Sequence, residues 1–306
     1  MSKNLYPLFV LLTLLFVRPV YATEESKNDI QTIISAAEQG DTESQFSLGV
    51  IYHDGLGVEP NYAEALKWYT LAAEKGDTFA QNNLAVMYNL GQGVEQNSAE
   101  ALKWYTLAAK QGNASAQYNL GDLYYHGRGV TQDYIEAFNW YIEAAQQGDS
   151  SAQYSLGNLY YRGQGVTQDY DKAIKWYARA AEQNNADAQN NLGIMYSSGK
   201  AIKQDYTEAL KWYFLAAKQG NASAQNNLGI MYANGLGVKQ DYAEAIQWYT
   251  LAAEQNYPYA QYSLSIIYQN GLGGTKDLAL AKKYANEACD NHDQAGCDLF
   301  NKLEQE

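Results

Sequence analysis

Histidine is the residue best suited to metal binding or proton transfer near neutral pH, and this chain of 306 residues contains His53, His126 and His292. A metal or catalytic centre needs several such groups that converge. The three histidines lie in distant segments, without partners at metal-ligand spacing. The sequence also lacks the G-x-S-x-G, H-E-x-x-H and phosphate-loop patterns. We therefore expect no metal ion, no cofactor and no catalytic residue.

One short segment does match a catalytic pattern. Ser197 and Lys200, in the segment SSGK, have the S-x-x-K spacing of serine β-lactamases. That chemistry requires Ser at a helix start and Lys one turn later on the same helix. Here the segment is expected to span a helix end and the glycine turn after it, and no S-D-N or K-T-G accompanies it. We interpret the match as coincidental and keep a β-lactam-binding or hydrolysing enzyme as the alternative function.

The balance of charge excludes other functions. The chain carries 34 acidic and 21 basic residues, for a net charge of −13. Binding to nucleic acids or to anionic membranes requires a basic face. We therefore expect neither nucleic acid nor an anionic membrane surface as a partner.

Residues 1–22 have the composition of a secretory signal. Lys3 precedes an apolar run from Leu5 to Val17, and the small residues Val20 and Ala22 form a cleavage site. The run is shorter than the roughly 20 residues that span a bilayer, although an uncleaved anchor is the other interpretation. We predict cleavage after Ala22, a periplasmic or secreted bacterial protein, and no membrane span after cleavage.

The tryptophans show how the rest of the chain is organised. They recur at one interval of 36 residues, at Trp68, Trp104, Trp140, Trp176, Trp212 and Trp248. In the unit that begins at Ala224, apolar residues recur at helical period in two segments, one around Leu228 and one around Trp248. Each unit is therefore predicted to be a pair of amphipathic helices.

Glycine and short polar residues mark the predicted helix ends. The first helix of each unit ends at a glycine, and the second ends at a glycine or at Asn184 and Asn256, because these residues adopt a left-handed backbone most readily. Asp or Asn opens each second helix, often with Glu three residues later, as in Asn61 and Glu64. That spacing predicts a cap in which the Glu side chain also reaches back.

Two further features fit helix pairs. The Asn of each N-A-S segment, Asn113 and Asn221, lies at a repeat turn, and we interpret both as helix-start caps. A glycine follows the Leu of most first helices, where a short side chain lets two helices approach closely. These glycines are Gly49, Gly121, Gly157, Gly193 and Gly229.

The units resemble the Sel-one-like repeat (SLR) family, a relative of the tetratricopeptide repeats. The shared pattern is A-x-x-x-L-G-x-x-Y-x-x-G-x-G-V-x-x-D-x-x-x-A-x-x-W-Y-x-x-A-A, present at residues 224–253. The resemblance implies an all-α fold, an α-solenoid of antiparallel helix pairs in a right-handed superhelix, used to hold partner proteins. We place seven repeats in 44–295, starting near 44, 80, 116, 152, 188, 224 and 260, with capping helices at 23–43 and 296–306.

Repeats 5 and 7 depart from this pattern. In repeat 5, Ala201 replaces the second glycine of the turn, so we expect that turn to be distorted. In repeat 7, Gly274 replaces Val and Tyr284 replaces Trp, as expected of a terminal copy.

The repeat also relates the two cysteines. Cys289 and Cys297 occupy the positions of Ala253 and Gln261, which belong to adjacent antiparallel helices in the other junctions. Their spacing resembles that of the cysteine-rich SLR proteins. We predict a disulfide that closes the terminal junction, which export from the cytoplasm permits. Two free thiols are the alternative.

In related solenoids the first helices line a concave groove, and three positions of each first helix vary along this chain while the core positions are nearly constant. In repeats 3 and 4 these positions carry four tyrosines around Asp122 and Asn158. The predicted partner-binding residues are Tyr118, Asp122, Tyr125, Tyr154, Asn158, Tyr161, Ile194 and Ile230. Tyrosine is common in interface hot spots. The alternative is that these tyrosines only complete the packing between repeats.

The predicted function is a non-catalytic, monomeric scaffold that holds a protein or peptide in its groove. The resemblance implies two specific roles. One is an immunity protein for a phospholipase-type effector delivered into the envelope, and the other is an envelope or host-interaction factor. Family membership predicts the fold far better than the partner.

Overall fold

The computed structural model describes residues 24–274 and 276–305, and the predicted signal segment lies outside them. All regular elements in these residues are helices, which confirms the all-α prediction. They are α1 (Glu24–Glu38), α2 (Thr42–Asp54), α3 (Tyr62–Glu74), α4 (Thr78–Leu90), α5 (Ser98–Lys110), α6 (Ala114–His126), α7 (Tyr134–Gln146), α8 (Ser150–Arg162), α9 (Tyr170–Glu182), α10 (Ala186–Ser198), α11 (Tyr206–Lys218), α12 (Ala222–Asn234), α13 (Tyr242–Ala253), α14 (Pro258–Asn270), α15 (Leu278–Asp290) and α16 (Gln294–Leu303).

Helices α2 to α15 form seven pairs, from repeat 1 (α2 and α3) to repeat 7 (α14 and α15), and this is the α-solenoid fold class that the sequence predicted. The chain divides into two compact units. Unit 1 contains residues up to Ala116 together with Arg128–Val130, and unit 2 contains Gln117–Gly127 together with the residues from Thr131 onwards. Among the helices of the described ranges, none is both long and apolar enough to cross a bilayer.

The hydrophobic core lies at the junctions, where the second helix of one repeat packs on the first helix of the next. In unit 2, Tyr141 of α7 packs with Leu156 and Leu159 of α8, and all three are at most 2 % exposed. Trp176 of α9 packs against the same cluster. The tryptophan of a repeat therefore extends the core of the preceding junction, and consecutive repeats of a unit share one core.

The first-helix glycines let the two helices of a repeat touch. A Cβ atom at Gly157 would lie 2.5 Å from a ring carbon of Tyr177, and one at Gly193 would lie 2.5 Å from a ring carbon of Tyr213. No methyl group fits at such distances unless the ring or the helix moves. The same contact joins Gly49 to Tyr69, Gly121 to Tyr141 and Gly229 to Tyr249. The predicted close approach is confirmed.

The helix ends follow the predicted backbone constraints. Asn184 and Asn256 have φ of 63° and 60°, which is the left-handed conformation that the glycines adopt in other repeats. Asn113 and Asn221 are caps, because their Oδ1 atoms accept from the N–H groups of Ala116 and Ala224, each at 2.9 Å. These predictions are confirmed.

Two local predictions are wrong. Glu64 does not reach back to the cap residue: its carboxylate pairs with Lys67 at 3.2 Å, while the Asn61 N–H donates to the Tyr52 carbonyl at 2.7 Å. The turn at Ala201 is not distorted either. Ala201 adopts φ of 60°, close to the 70° of Gly165 and Gly237 at the same position. The chain keeps the turn and accepts the strain of a side chain at positive φ.

A buried glutamine, which the sequence analysis missed, links three helices at most junctions. In unit 2, Gln153 of α8 donates to the Ala145 carbonyl of α7 at 3.2 Å and accepts from the Gln183 Nε2 of α9 at 2.9 Å. Gln225 makes the same two bonds in repeat 6. Because each glutamine is buried, both bonds satisfy groups that water cannot reach.

The first and last junctions differ from this arrangement. Gln45 donates to the Ala37 carbonyl at 3.0 Å, but its buried Oε1 has no hydrogen-bond partner, and Lys75, at the position of Gln183, donates to the Gly40 carbonyl instead. At the other end, Cys289 and Cys297 form the predicted disulfide, with Cα atoms 4.4 Å apart. This bond stands where the other junctions have the glutamine-to-carbonyl hydrogen bond.

Candidate partner-binding face

Seven of the eight predicted partner-binding residues lie together in unit 2, on the first helices of repeats 3 to 5. We call this surface the aromatic face. It consists of Tyr118, Asp122 and Tyr125 of α6, Tyr154, Asn158 and Tyr161 of α8, and Ile194 of α10. The eighth residue, Ile230 of α12, is exposed and lines neither of the two depressions in this face.

The first depression lies between α6 and α8 and has a volume of about 200 Å³. Its walls combine tyrosine rings with Asp122, Asn158 and Arg162, and its lining residues are Tyr118, Asp122, Tyr125, His126, Tyr141, Tyr154, Ser155, Asn158 and Arg162. The Asp122 Oδ1 lies 3.1 Å from the His126 Nδ1. This wall therefore has both charged and aromatic character.

The second depression lies between α8 and α10 and has a volume of about 160 Å³. It is lined by Asn158, Tyr161, Arg162, Tyr177, Asn191, Ile194 and Met195. Asn158 and Arg162 therefore separate the two depressions. The Asn158 Oδ1 accepts from the Tyr177 hydroxyl at 2.8 Å and from the Asn191 Nδ2 at 3.4 Å, so these bonds hold the dividing side chain in place.

Buried or half-buried tyrosines line both depressions: Tyr141 and Tyr154 line the first, and Tyr177 lines the second. Burial raises the pKa of Tyr141, and the negative charge of Asp122 raises it further. Burial also raises the pKa of Tyr154 and of Tyr177. These phenols are therefore neutral at physiological pH, and they add no charge to either depression.

The tyrosines of the aromatic face contribute to the core as well. Tyr118 and Tyr125 pack against the junction of α7 and α8, and Tyr154 and Tyr161 pack against the junction of α9 and α10. Each ring is half-buried. One side of each ring therefore completes the packing, and the other side remains available at the surface.

Two cations, which the site prediction did not include, reach this face from adjacent turns. The Arg162 guanidinium donates to the Tyr125 hydroxyl at 3.4 Å. The Lys200 ammonium donates to the Tyr161 hydroxyl at 3.3 Å and lies 4.7 and 4.4 Å from the ring centroids of Tyr161 and Tyr170. Hydrogen bonds to Tyr170 and Tyr161 raise the pKa of Lys200, so it stays charged.

The two residues of the S-x-x-K segment therefore bind to different groups. Ser197 lies near the end of α10, where its hydroxyl donates to the Ile194 carbonyl at 3.1 Å and hydrogen-bonds to Tyr213 at 2.9 Å. Lys200 follows the helix-ending Gly199 and points to Tyr161. Serine acylation chemistry needs the two side chains to cooperate on one helix, and this arrangement differs from it.

The histidines do not form a site together. His53 contacts the Asp54 Oδ1 at 2.6 Å and the Gln92 Oε1 at 3.3 Å, in a depression of unit 1. His126 pairs with Asp122, and His292 occupies the second-helix end of repeat 7 with φ of 68°. Within residues 24–274 and 276–305, no group of His, Cys, Asp and Glu is arranged to hold a metal ion.

The dimensions of the aromatic face favour side chains of a larger partner. Small-molecule sites usually measure about 300–1,000 Å³ and enclose most of the ligand. The two depressions, at about 200 and 160 Å³, are smaller and lie next to each other. They suit neighbouring side chains of one polypeptide, whose aromatic and apolar groups anchor in pockets of this kind.

The repeats match one family model, described as the Sel1 repeat, at residues 42–77, 78–113, 114–149, 150–185, 186–221, 222–257 and 258–293. Comparison with curated proteins finds no match.

Two solved structures are similar over most of the chain. One is c5321, a protective antigen present in uropathogenic Escherichia coli strains displaying an SLR fold. It is 37 % identical over 89 % of this chain, with a TM-score of 0.78, and this chain spans 59 % of its length. The other is a Sel1 repeat protein from Oxalobacter formigenes, 32 % identical over 80 % of this chain and 96 % of its own, with a TM-score of 0.73. With seven matched repeats across most of its length, the chain belongs to the Sel1 repeat family.

Proposed function

We propose that this protein is a non-catalytic scaffold that binds a polypeptide partner on the aromatic face of repeats 3 to 5. The observation that carries this proposal is the pair of adjacent depressions on that face, which meet at Asn158 and Arg162. Half-buried tyrosines offer large contact areas, and their hydroxyls form hydrogen bonds with little loss of conformational entropy. The core positions of successive repeats are nearly constant, so the variable face is where specificity resides.

We further propose that the protein acts outside the cytoplasm, as an envelope or host-interaction factor. The signal-like segment 1–22 and the Cys289–Cys297 disulfide support export, because disulfides persist in oxidising compartments. The similarity to the protective antigen of uropathogenic Escherichia coli supports a role at the bacterial surface. An effector toxin among the captured partners would instead favour the immunity-protein role.

The binding face is tested by a substitution that leaves the core intact. Ile194 is 36 % exposed and lines the second depression, so Ile194→Asp places a charge in the face without emptying a packed site. We expect at least a tenfold loss of affinity for the partner captured from envelope extract of the source bacterium. Replacing Tyr125 and Tyr161 with Ala is less informative, because both rings also pack against junction cores.

The matched control lies on the second helix of the same repeat. Leu215 is 45 % exposed on α11, and Leu215→Asp adds the same charge away from the aromatic face. Both variants should keep the circular dichroism spectrum and melting temperature of the parent protein. Equal capture by the Ile194→Asp and parent proteins would contradict the proposed face, as would an equal loss in the Leu215→Asp control.

The enzymatic alternative has its own test. Incubation with a fluorescent penicillin is expected to give no covalent adduct, since the Ser197 hydroxyl and the Lys200 ammonium are bound to different tyrosines. An adduct on Ser197, found by mass spectrometry and lost in Ser197→Ala, would overturn the scaffold proposal.

A further inference from the structure

The second depression of the aromatic face has an unusual charge environment for this chain. Acidic residues outnumber basic residues by 34 to 21, yet none of the seven residues that line this depression is acidic. Arg162 is one of those residues, and Lys200 reaches the same rim through the hydroxyl of Tyr161, another of them.

Neither cation is neutralised by a carboxylate. Within the described part of the chain, no Asp or Glu oxygen forms an ion pair with Arg162 or Lys200, whereas Lys67, Lys103, Lys172 and Lys211 each pair with an acid on their own helix or at its cap. Arg162 uses one of its five N–H donors on Tyr125. The guanidinium is planar, and two of its N–H groups can donate in parallel to the two oxygens of one carboxylate.

The positions of the two cations are set by tyrosines and not by acids. Tyr125 holds Arg162 from the first helix of repeat 3, and Tyr161 holds Lys200 from the first helix of repeat 4. Lys200 also lies over the rings of Tyr161 and Tyr170. Attraction to aromatic rings keeps Lys200 in place and leaves its charge uncompensated. The rim is therefore pre-organised for an anion.

We propose that this depression recognises an acidic side chain of the polypeptide partner, an Asp or Glu whose carboxylate lies between Arg162 and Lys200. Ile194, on the α10 wall, contacts an apolar residue next to that acid. The site thus recognises a short motif of the partner, in which an acidic residue stands next to an apolar residue. The inference rests on the proposed function, because it names the chemistry of the partner that the aromatic face binds.

The test is a selection of random peptides displayed on phage, with each peptide fused at its C-terminus so that only side chains supply carboxylates. Peptides enriched on the parent protein should carry Asp or Glu beside an apolar residue. Synthetic copies of these peptides should bind about tenfold more weakly to Arg162→Gln and to Lys200→Gln, and their affinity for the parent protein should fall as salt is added.

Arg179→Gln is the matched control. Arg179 is a cation of repeat 4 that lies over Trp176 on the second helix, so its loss changes the net charge equally but leaves the depression intact. Its affinity for the selected peptides should equal that of the parent protein.

The outcomes separate the two proposals. If no peptide is enriched, or if enriched peptides bind Ile194→Asp as well as the parent protein, the proposed binding face fails. If enriched peptides depend on Ile194 but lack acids, or bind Arg162→Gln and Lys200→Gln unchanged, only the acidic-residue assignment fails. Acidic enrichment that appears solely in a library with free C-termini would also overturn the side-chain assignment, in favour of a terminal carboxylate.

Discussion

Repeats 4 and 6 have the same internal helix contact yet present different surfaces. In both, a glycine of the first helix touches a tyrosine ring, through Gly157 in repeat 4 and Gly229 in repeat 6. The predicted partner-facing positions of repeat 4 are Tyr154, Asn158 and Tyr161, whereas those of repeat 6 are Asn226, Ile230 and Ala233, of which Asn226 is buried.

The difference shows which constraint acts on each position. A junction residue contacts helices of two repeats, so its size and hydrogen bonds are fixed wherever the stack continues. The residues at the predicted partner-facing positions of repeat 4 are half-buried, and they carry rings and hydrogen-bonding groups. Equivalent junction substitutions in the two repeats should therefore have equal effects.

The largest effect is expected from the buried glutamine. Gln153→Ala and Gln225→Ala each remove one buried and one half-buried hydrogen bond and leave a cavity. We expect each to lower the free energy of unfolding by about 2–3 kcal/mol in urea denaturation. Gln45→Ala is the control, because the Oε1 of Gln45 has no partner to lose. Clearly unequal losses of unfolding free energy in Gln153→Ala and Gln225→Ala would show that the junctions of the two repeats are not equivalent.

A smaller loss is expected at the glycine contact. Gly157→Ala and Gly229→Ala would place a Cβ 2.5 and 2.6 Å from the rings of Tyr177 and Tyr249, so the ring or the helix must move. We expect each variant to lose about 1–3 kcal/mol, measured by urea unfolding. Gly274→Ala, where no atom lies within 4 Å of the added Cβ, should be near neutral. A loss confined to one repeat would show that the internal helix contacts of the two repeats are not equivalent.

The buried tyrosines predict a loss of stability at alkaline pH. Burial raises the pKa of Tyr249 from its ordinary value of 10.0 to about 12, and it also raises the pKa of Tyr177. Above pH 10 the unfolded chain releases these protons while the folded protein retains them, so stability falls as pH rises from about 10 towards 12. Tyr249→Phe should flatten this fall, measured as melting temperature against pH. An unchanged slope would contradict the assigned pKa.

The smallest effect is a gain at the turn of repeat 5. Ala201→Gly removes a side chain at φ of 60° and should raise stability by about 1 kcal/mol, seen as a higher melting temperature. The reverse change at the same position of repeat 4, Gly165→Ala, would place a Cβ 2.4 Å from the Tyr134 carbonyl oxygen and should destabilise. A loss on Ala201→Gly would mean that the turn of repeat 5 gains from its methyl group.

Sequence patterns predicted the features that depend on the type of one residue or on the spacing of residues within a short segment. The interval of the tryptophans and the glycines at helix ends predicted paired helices, because amphipathic period and backbone conformation are properties of short segments. The same logic failed at Ala201, where neighbouring structure enforces a conformation that alanine disfavours. The preference of a residue type for a backbone conformation does not state how strongly the surrounding structure opposes that preference.

The features that were missed depend on long side chains that reach another helix. Gln183 bonds to Gln153, 30 residues away, and Arg162 bonds to Tyr125, 37 residues away. Glutamine and arginine are ordinary surface residues in a sequence, so their burial or direction becomes evident only when the packing is known. The recurrence of Gln at the same repeat position was the available signal. The predicted partner-binding residues remain predictions.

The two ends of the array are secured differently, and this gives the chain a direction of opening. At the amino-terminal end, α2 depends on a glutamine that has lost one of its two bonds, and at the carboxyl-terminal end a covalent link ties α15 to α16. Repeat arrays open from their termini, because an end repeat has one neighbour. Fraying therefore begins at α1 and α2, and backbone amides there exchange with solvent deuterium sooner than those of α15 and α16.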